Sequence, residues 1–171
     1  GTDTINFARA GAQVTAVDLS ETSIELARHR ADVFGLSDRI DFRVADAERL
    51  SEMIPSEPYD LIYSFGVIHH TPHPEKVVDQ VRRHFVHAES EFKVMVYNRN
   101  SWKVLWIVLT EGKGAFWKLD ELVARNSEAQ IGCPVTFTYT LASTRALLRG
   151  FRVESIFIDH IFPYRIRDYV R

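Results

Sequence analysis

The chain has 171 residues, 46% of them hydrophobic, which is enough for one domain with a real core. Its net charge of −2 and its pI of about 6.4 exclude a strongly basic nucleic-acid-binding protein, so we expect no nucleic acid as partner. No signal peptide is visible, the longest apolar stretch (104–109) is too short to span a bilayer, and the single Cys133 has no internal partner. These features predict a cytoplasmic protein without a membrane span.

Helices and strands alternate along the first hundred residues. The predicted helices lie at 2–10, 21–34, 47–50 and 74–85, and the predicted strands at 13–18, 40–44, 59–65 and 91–97. Apolar residues recur at helical spacing in the second helix, as Ile24, Ala27 and Ala31 do, and alternate with polar residues in strand 40–44. This order predicts an α/β fold with a parallel, doubly wound sheet covered by helices on both faces.

The second half of the chain is less regular. We predict a helical segment at 101–126 that is interrupted at two glycines, then a helix at 140–148 and a strand at 151–158. The helical segment is dense in aromatic residues: Trp102, Trp106, Phe116 and Trp117. They predict either a helix that packs on the sheet or a lid that covers a ligand pocket and exposes some of its rings.

Two aspartates follow strands at positions that suit an adenosine cofactor. Asp18 ends strand 13–18, and in doubly wound folds an acid at the tip of the second strand holds the ribose hydroxyls. A carboxylate suits this role because it can accept two hydrogen bonds from a vicinal diol. Asp46 follows strand 40–44 and can accept a hydrogen bond from an adenine amino group. Asp18 is equally explained as a turn residue before the N-cap Ser20, and Asp46 as an N-cap itself.

Two adjacent histidines follow the strand at 59–65. Ligands of open α/β sheets bind outside the carboxyl ends of the strands, where His69 and His70 lie, and Gly66 permits a close backbone approach. The imidazoles either exchange protons with a substrate or bond to the loop backbone. A metal site built from these two histidines and His73 is the weaker interpretation, since the segment is a proline-bounded loop without an adjacent cysteine or acid, and we predict no metal.

Four segments, read together, indicate a family. Residues 1–3 (GTD), 16–20 (AVDLS), 44–47 (VADA) and 59–70 (YDLIYSFGVIHH) resemble consecutive motifs of the class I S-adenosylmethionine-dependent methyltransferases. The small-molecule branch, similar to the ubiquinone and menaquinone methyltransferases, is nearest. The resemblance covers about residues 1–100 and is specific because the four motifs keep their order and spacing.

The resemblance implies a cofactor, S-adenosylmethionine, and a small-molecule methyl acceptor. By resemblance, Gly1 lines the methionine part of the cofactor, Asp18 the ribose and Asp46 the adenine, while the Ala47 backbone contacts adenine and Ser64 borders the cofactor beside the methyl group. Leu19 and Phe65 complete the predicted cofactor residues. His69 and His70 are the predicted catalytic residues, needed only where the acceptor must lose a proton, and Tyr97 and Tyr139 are the next candidates for the base.

The resemblance also divides the chain. It implies a cofactor-binding Rossmann-like part at 1–100, a helical lid or insertion after the fifth strand of the family at 101–139, and a helix and strand at 140–171 that complete the same domain. The family's first apolar strand and glycine loop come before the position of Gly1, so we expect a fragment that is truncated at both ends and lacks the central strand.

Such a fragment has physical consequences. We expect weak or absent cofactor binding, low stability, and self-association through the open edge of the sheet. The family's Pro-Gly-Gly type turn is replaced by residues 85–90, which we expect to turn without glycine. The alternatives are a NAD(P)-dependent Rossmann oxidoreductase, which shares the ribose acid, and a methyltransferase-like fragment that cannot bind the cofactor.

Overall fold

The computed structural model describes residues 1–126 and 135–158, so Cys133 lies outside the described residues. The chain divides into two compact units, 1–57 and 58–171. Among the described residues, no helix is long and apolar enough to cross a membrane.

The first unit consists of two parallel strands and the helices that pack against them around one hydrophobic core. Its elements are α1 (Thr2–Arg9), β1 (Val14–Asp18), α2 (Glu21–Val33), β2 (Ile40–Val44) and α3 (Leu50–Met53), with 3₁₀ turns at Ser37–Arg39 and Ala47–Arg49. β1 and β2 are in register from the pair Val14 and Ile40 to the pair Asp18 and Val44. The predicted helices and strands of this unit are therefore confirmed to within a few residues.

The core of this unit follows the periodicities of the sequence. Alternate residues of β2 face the helices, and residues at helical spacing on α1 and α2 meet them, which gives one buried cluster: Ile5, Ala8, Ile24, Ala31, Ile40 and Phe42. The predicted N-cap of α2 is confirmed, since the Ser20 hydroxyl accepts a hydrogen bond from the Ser23 amide at 3.2 Å.

The second unit contains the other two strands and the remaining helices. Its elements are β3 (Leu61–Phe65), α4 (Pro74–His84), β4 (Glu91–Met95), α5 (Trp102–Thr110), α6 (Leu119–Asn126) and α7 (Leu141–Leu147), with 3₁₀ turns at Ile68–His70 and Phe116–Lys118. β3 and β4 are parallel, as predicted, with Leu61 opposite Glu91. Among the described strands, β1 pairs only with β2 and β3 only with β4, so each strand keeps one unpaired edge.

The turn before β4 contains no glycine and is stabilised by hydrogen bonds of the Ser90 side chain. The Ser90 hydroxyl accepts a hydrogen bond from the His87 amide at 2.8 Å and donates to the Tyr59 carbonyl at 2.6 Å. The Ser90 amide closes the turn on the His87 carbonyl at 3.2 Å. The His87 ring also lies 3.1 Å from a carboxylate oxygen of Asp60. This confirms that residues 85–90 turn the chain without glycine.

Helices α5 and α6 form a hairpin with its own core. Six apolar residues at helical spacing are buried between them: Val104, Ile107, Val108, Leu119, Leu122 and Val123. Gly112 lies where the two helices approach, and a Cβ atom there would meet Leu122 and would lie 2.7 Å from the Val108 carbonyl oxygen. The predicted helical segment and its interruption are confirmed, and Trp102, Phe116 and Trp117 are exposed.

The strand predicted at 151–158 is wrong. These residues form no strand, although Phe151 packs against Phe92 with ring centroids 5.3 Å apart. The apolar alternation that suggested a strand continues into Phe157 and Ile158, which are exposed. A strand needs a ladder partner for its backbone groups, and no described strand pairs with this segment.

Candidate cofactor and acceptor site

The two predicted adenosine-binding aspartates lie at the carboxyl ends of neighbouring parallel strands. Asp18 is the last residue of β1 and stands opposite Val44, the last residue of β2, and Asp46 follows two residues later. The Asp18 carbonyl accepts a hydrogen bond from the Ala45 amide at 3.0 Å, which ties the two strand ends together. This part of the prediction is confirmed, and a shared cleft for the two carboxylates stays a prediction.

Each carboxylate also organises its own turn. Oδ1 of Asp18 accepts a hydrogen bond from the Ser20 amide, and Oδ1 of Asp46 accepts one from the Glu48 amide, both at 2.9 Å. Within the described ranges, Oδ2 of neither residue accepts a hydrogen bond. The turn and cap explanations are therefore correct, and they leave one carboxylate oxygen of each residue available to a ligand.

Of the other predicted cofactor residues in the first unit, Leu19 and Ala47 are next to the two aspartates in the chain, and Gly1 is at the start of α1. Gly1 precedes α1 and is exposed, and no heavy atom of the structure lies within 4 Å of a Cβ built on it. Leu19 is exposed between β1 and α2, and Ala47 begins the 3₁₀ turn after Asp46. Leu19, an exposed apolar residue next to Asp18, offers a surface on which an apolar ligand group can pack.

In the second unit, the predicted residues follow one another from the end of β3. Ser64 has a buried Oγ atom without a hydrogen-bond partner, while Phe65 is exposed and stacks on Tyr63 with ring centroids 5.8 Å apart. Gly66 then turns the chain with a φ of +76°, a conformation that side chains disfavour, and its amide donates to the Met95 carbonyl at 3.2 Å. The turn leads directly into the histidine pair.

His69 is completely buried. Its ring lies between those of His70 and Tyr97, with both centroid distances at 4.1 Å. In the described part of the chain neither ring nitrogen has a hydrogen-bond partner. Burial, and then the charge of His70, lowers the pKa of His69 to about 3, so this imidazole is neutral at pH 7.

His70 is half-buried and hydrogen-bonded. Its Nδ1 lies 3.1 Å from the Thr136 hydroxyl and 3.4 Å from the Val135 carbonyl. Burial lowers the pKa of His70, and the hydrogen bond to the Val135 backbone partly opposes this. The two histidines, equivalent in the sequence, therefore differ in exposure and in hydrogen bonding.

Of the segment 135–140, only Tyr139 was a candidate for the site, as a further base. The Phe137 amide donates to the His69 carbonyl at 2.9 Å, and the Tyr139 amide donates to the Tyr97 carbonyl at 2.8 Å. Thr136 and Thr138 are buried in this segment, and Thr136 contacts the His70 ring. The available signal was the run VTFTYT, whose β-branched and aromatic residues alternate as in a strand.

No group of three or more histidine, cysteine, aspartate or glutamate side chains in 1–126 and 135–158 could hold a metal ion. The candidate groups therefore comprise carboxylates at the strand ends of the first unit and imidazoles and hydroxyls in the second. These are hydrogen-bonding and proton-accepting groups.

Comparisons with known proteins identify the family. The sequence profile of the family described as "Methyltransferase domain" matches residues 1–87, just over half of the chain. Ubiquinone biosynthesis O-methyltransferase of Bordetella pertussis is 36% identical over 73 residues, which are 43% of this chain and 29% of that protein. The enzyme of the same name from Dechloromonas aromatica is 28% identical over 99 residues, which are 58% of this chain and 41% of that protein.

The solved structure of the [4+2]-cyclase SpnF is 24% identical in sequence to this chain. The aligned part covers 48% of this chain and 30% of the cyclase, and the TM-score of 0.44 is too low to establish a shared fold. The chain spans 29% and 41% of the length of the two ubiquinone enzymes. The family match, together with parallel strand pairs connected through helices, leads to one conclusion: the chain belongs to the methyltransferase domain family and has the Rossmann-like α/β fold of class I methyltransferases.

Proposed function

We propose that the chain binds S-adenosylmethionine and belongs to an enzyme that transfers its methyl group to a small molecule. The observation that carries this proposal is the placement of Asp18 and Asp46 at the carboxyl ends of two neighbouring parallel strands. Ligands of such sheets bind outside these ends. The oxygen that each carboxylate leaves unbonded fits a ribose diol and an adenine amino group, respectively.

Each predicted residue then has one task. Asp18 accepts hydrogen bonds from the ribose, and Asp46, with the Ala47 backbone, receives the adenine. Gly1 lines the methionine part of the cofactor, Ser64 borders the methyl group, and Leu19 and Phe65 complete the cofactor site. When bound, the cofactor supplies a methyl group on a sulfonium sulfur, which is open to direct displacement. The protein aligns the acceptor with that group and excludes water.

The two histidines have different tasks under this proposal. His70 is the general base for an acceptor that must lose a proton, because it is partly accessible and unprotonated at pH 7. Its hydrogen bond to Thr136 fixes the orientation of its ring. His69 has too low a pKa to hold a proton at neutral pH and acts as a positioning residue, since its ring lies against those of His70 and Tyr97.

Calorimetry with S-adenosylhomocysteine tests the cofactor assignment. The protein for this test is the chain extended at its N-terminus by the first strand and glycine-rich loop of a class I methyltransferase. Asp18→Ala removes charge-assisted hydrogen bonds to the ribose, so we expect a loss of about 1.5–3 kcal/mol, at least tenfold in Kd. Asp18→Asn keeps an acceptor for the Ser20 amide, and it separates ligand binding from the turn.

The matched control for this experiment is Asp38→Ala. Asp38 is exposed in the 3₁₀ turn before β2, at the amino end of that strand, and it is therefore remote from the proposed site along the strand direction. We expect its affinity to equal that of the unchanged protein. Equal affinity of Asp18→Ala and Asp38→Ala would remove Asp18 from the site and with it the main support for the proposal.

A further inference from the structure

A cavity of about 400 Å³ lies in the second unit, beside the segment that covers the histidines. Its volume is within the range of small-molecule sites. It is lined by side chains from three successive parts of the chain: Arg99 after β4, residues 137–140 of the covering segment, and Ser143 of α7.

The wall of the cavity is held in place by backbone hydrogen bonds. The Arg99 amide donates to the Tyr139 carbonyl at 2.8 Å, and the Tyr139 amide donates to the Tyr97 carbonyl at 2.8 Å. These two bonds hold the backbone after β4, which carries Arg99, against the segment that carries Phe137 and Tyr139. The backbone that carries the cation and the aromatic rings is therefore fixed before any ligand binds.

Arg99 is the charged residue among the lining residues. Its guanidinium lies 3.6 Å from a carboxylate oxygen of Asp120, and both side chains are substantially exposed. At this distance no hydrogen bond is formed, and an exposed ion pair of this kind is weak. The guanidinium therefore keeps its planar set of N–H donors for a carboxylate, which it can bind through two parallel hydrogen bonds.

The remaining lining residues add apolar surface beside this cation. Phe137 and Tyr139 contribute aromatic surface to the same wall.

We propose that this cavity binds a small aromatic carboxylate, with Arg99 pairing with the carboxylate. Phe137 and Tyr139 provide the apolar wall for the ring. The Tyr139 hydroxyl remains protonated, because burial and the nearby Glu75 raise its pKa, and it repels no anion. That this carboxylate is the methyl acceptor rests on the proposed function, whereas the binding site itself does not.

Benzoate and its neutral analogue benzamide test the proposal directly. Each is titrated into the 171-residue chain at low salt, and the amide signals of the chain are followed by NMR. We expect benzoate to bind at least fivefold more tightly than benzamide and to shift the amides of 137–140. Arg99→Gln should weaken benzoate at least fivefold and leave benzamide unchanged.

Arg49→Gln is the matched control, because Arg49 is also exposed and ion-paired, with Glu52, but lies in the first unit. Its affinity for benzoate should equal that of the unchanged chain, and the amide spectrum of each variant shows that it is folded. Equal binding of benzoate and benzamide, no binding of benzoate, or full affinity in Arg99→Gln would each overturn the proposal. A separate titration with S-adenosylhomocysteine tests the proposed function, so the two can fail independently.

Discussion

Replacement of His69 by phenylalanine isolates the effect of burying an imidazole without partners. His69 is completely buried, and its pKa is about 3 in the folded chain against 6.5 for an ordinary histidine. The unfolded chain therefore binds a proton between these two values and the folded chain does not. Stability is full above pH 6.5 and falls as the pH is lowered towards 3.

The size of this effect follows from the two pKa values. Each pH unit between them lowers the free energy of unfolding by about 1.4 kcal/mol, so pH 5 costs about 2 kcal/mol relative to pH 8. Phenylalanine has a planar aromatic ring and no ionisable nitrogen, so His69→Phe should remove this loss. At pH 8 the variant should differ from the unchanged chain by less than about 3 kcal/mol, because the larger six-membered ring overpacks a filled site while the removal of two unsatisfied nitrogens offsets part of that cost.

Urea unfolding at pH 5, 6, 7 and 8 measures both quantities. The three tryptophans all lie in the second unit, so their fluorescence reports the unfolding of the unit that contains His69. His84→Phe, at the last position of α4, is the control and should keep the pH dependence of the unchanged chain. His70 also has a lowered pKa and leaves a smaller slope of the same sign in the variant. An unchanged slope in His69→Phe would refute the assignment of the pH dependence to this residue.

Two further predictions concern packing and association. Gly112→Ala places a Cβ atom 2.7 Å from the Val108 carbonyl oxygen, a backbone atom that cannot move aside. The free energy of unfolding should therefore fall by about 1–3 kcal/mol in the same urea assay. A change below about 0.5 kcal/mol would contradict this packing. β1 and β3 each have one edge without a strand partner among the described strands, and such edges favour association with a second chain. The sedimentation coefficient should therefore rise with protein concentration. A monomer at every concentration would refute association through these edges.

The elements of the first unit could be predicted because their signals are local. Ser20 caps α2 through a residue three positions away, and Ile24 and Ala31 lie on one helix face by spacing alone. The same holds for Pro74 at the start of α4. The positions of Asp18 and Asp46 followed from the strands that they end. Each of these predictions depended on fewer than about ten consecutive residues.

The properties of the second unit depended on distant residues. Nothing near His69 in the sequence distinguishes it from His70. The two rings differ because Tyr97 lies 4.1 Å from the His69 ring and 5.5 Å from the His70 ring, and because the segment 135–140 hydrogen-bonds only the His70 ring. Residues 151–158 show the opposite failure. Their alternating pattern is local and correctly read, but a strand exists only where a partner strand is hydrogen-bonded to it, and no described strand takes that place.

The segment 135–140 acts on one of the two adjacent imidazoles. A histidine acts as a base at neutral pH only when it is unprotonated and accessible at the same time. Burial lowers the pKa of His69 and removes its access. His70 keeps partial exposure, and the hydrogen bond to the Val135 carbonyl limits the fall of its pKa. Under the proposed function, the segment 135–140 therefore orients His70 for proton transfer through the Thr136 hydroxyl, 3.1 Å from Nδ1, beside the cavity that contains Arg99.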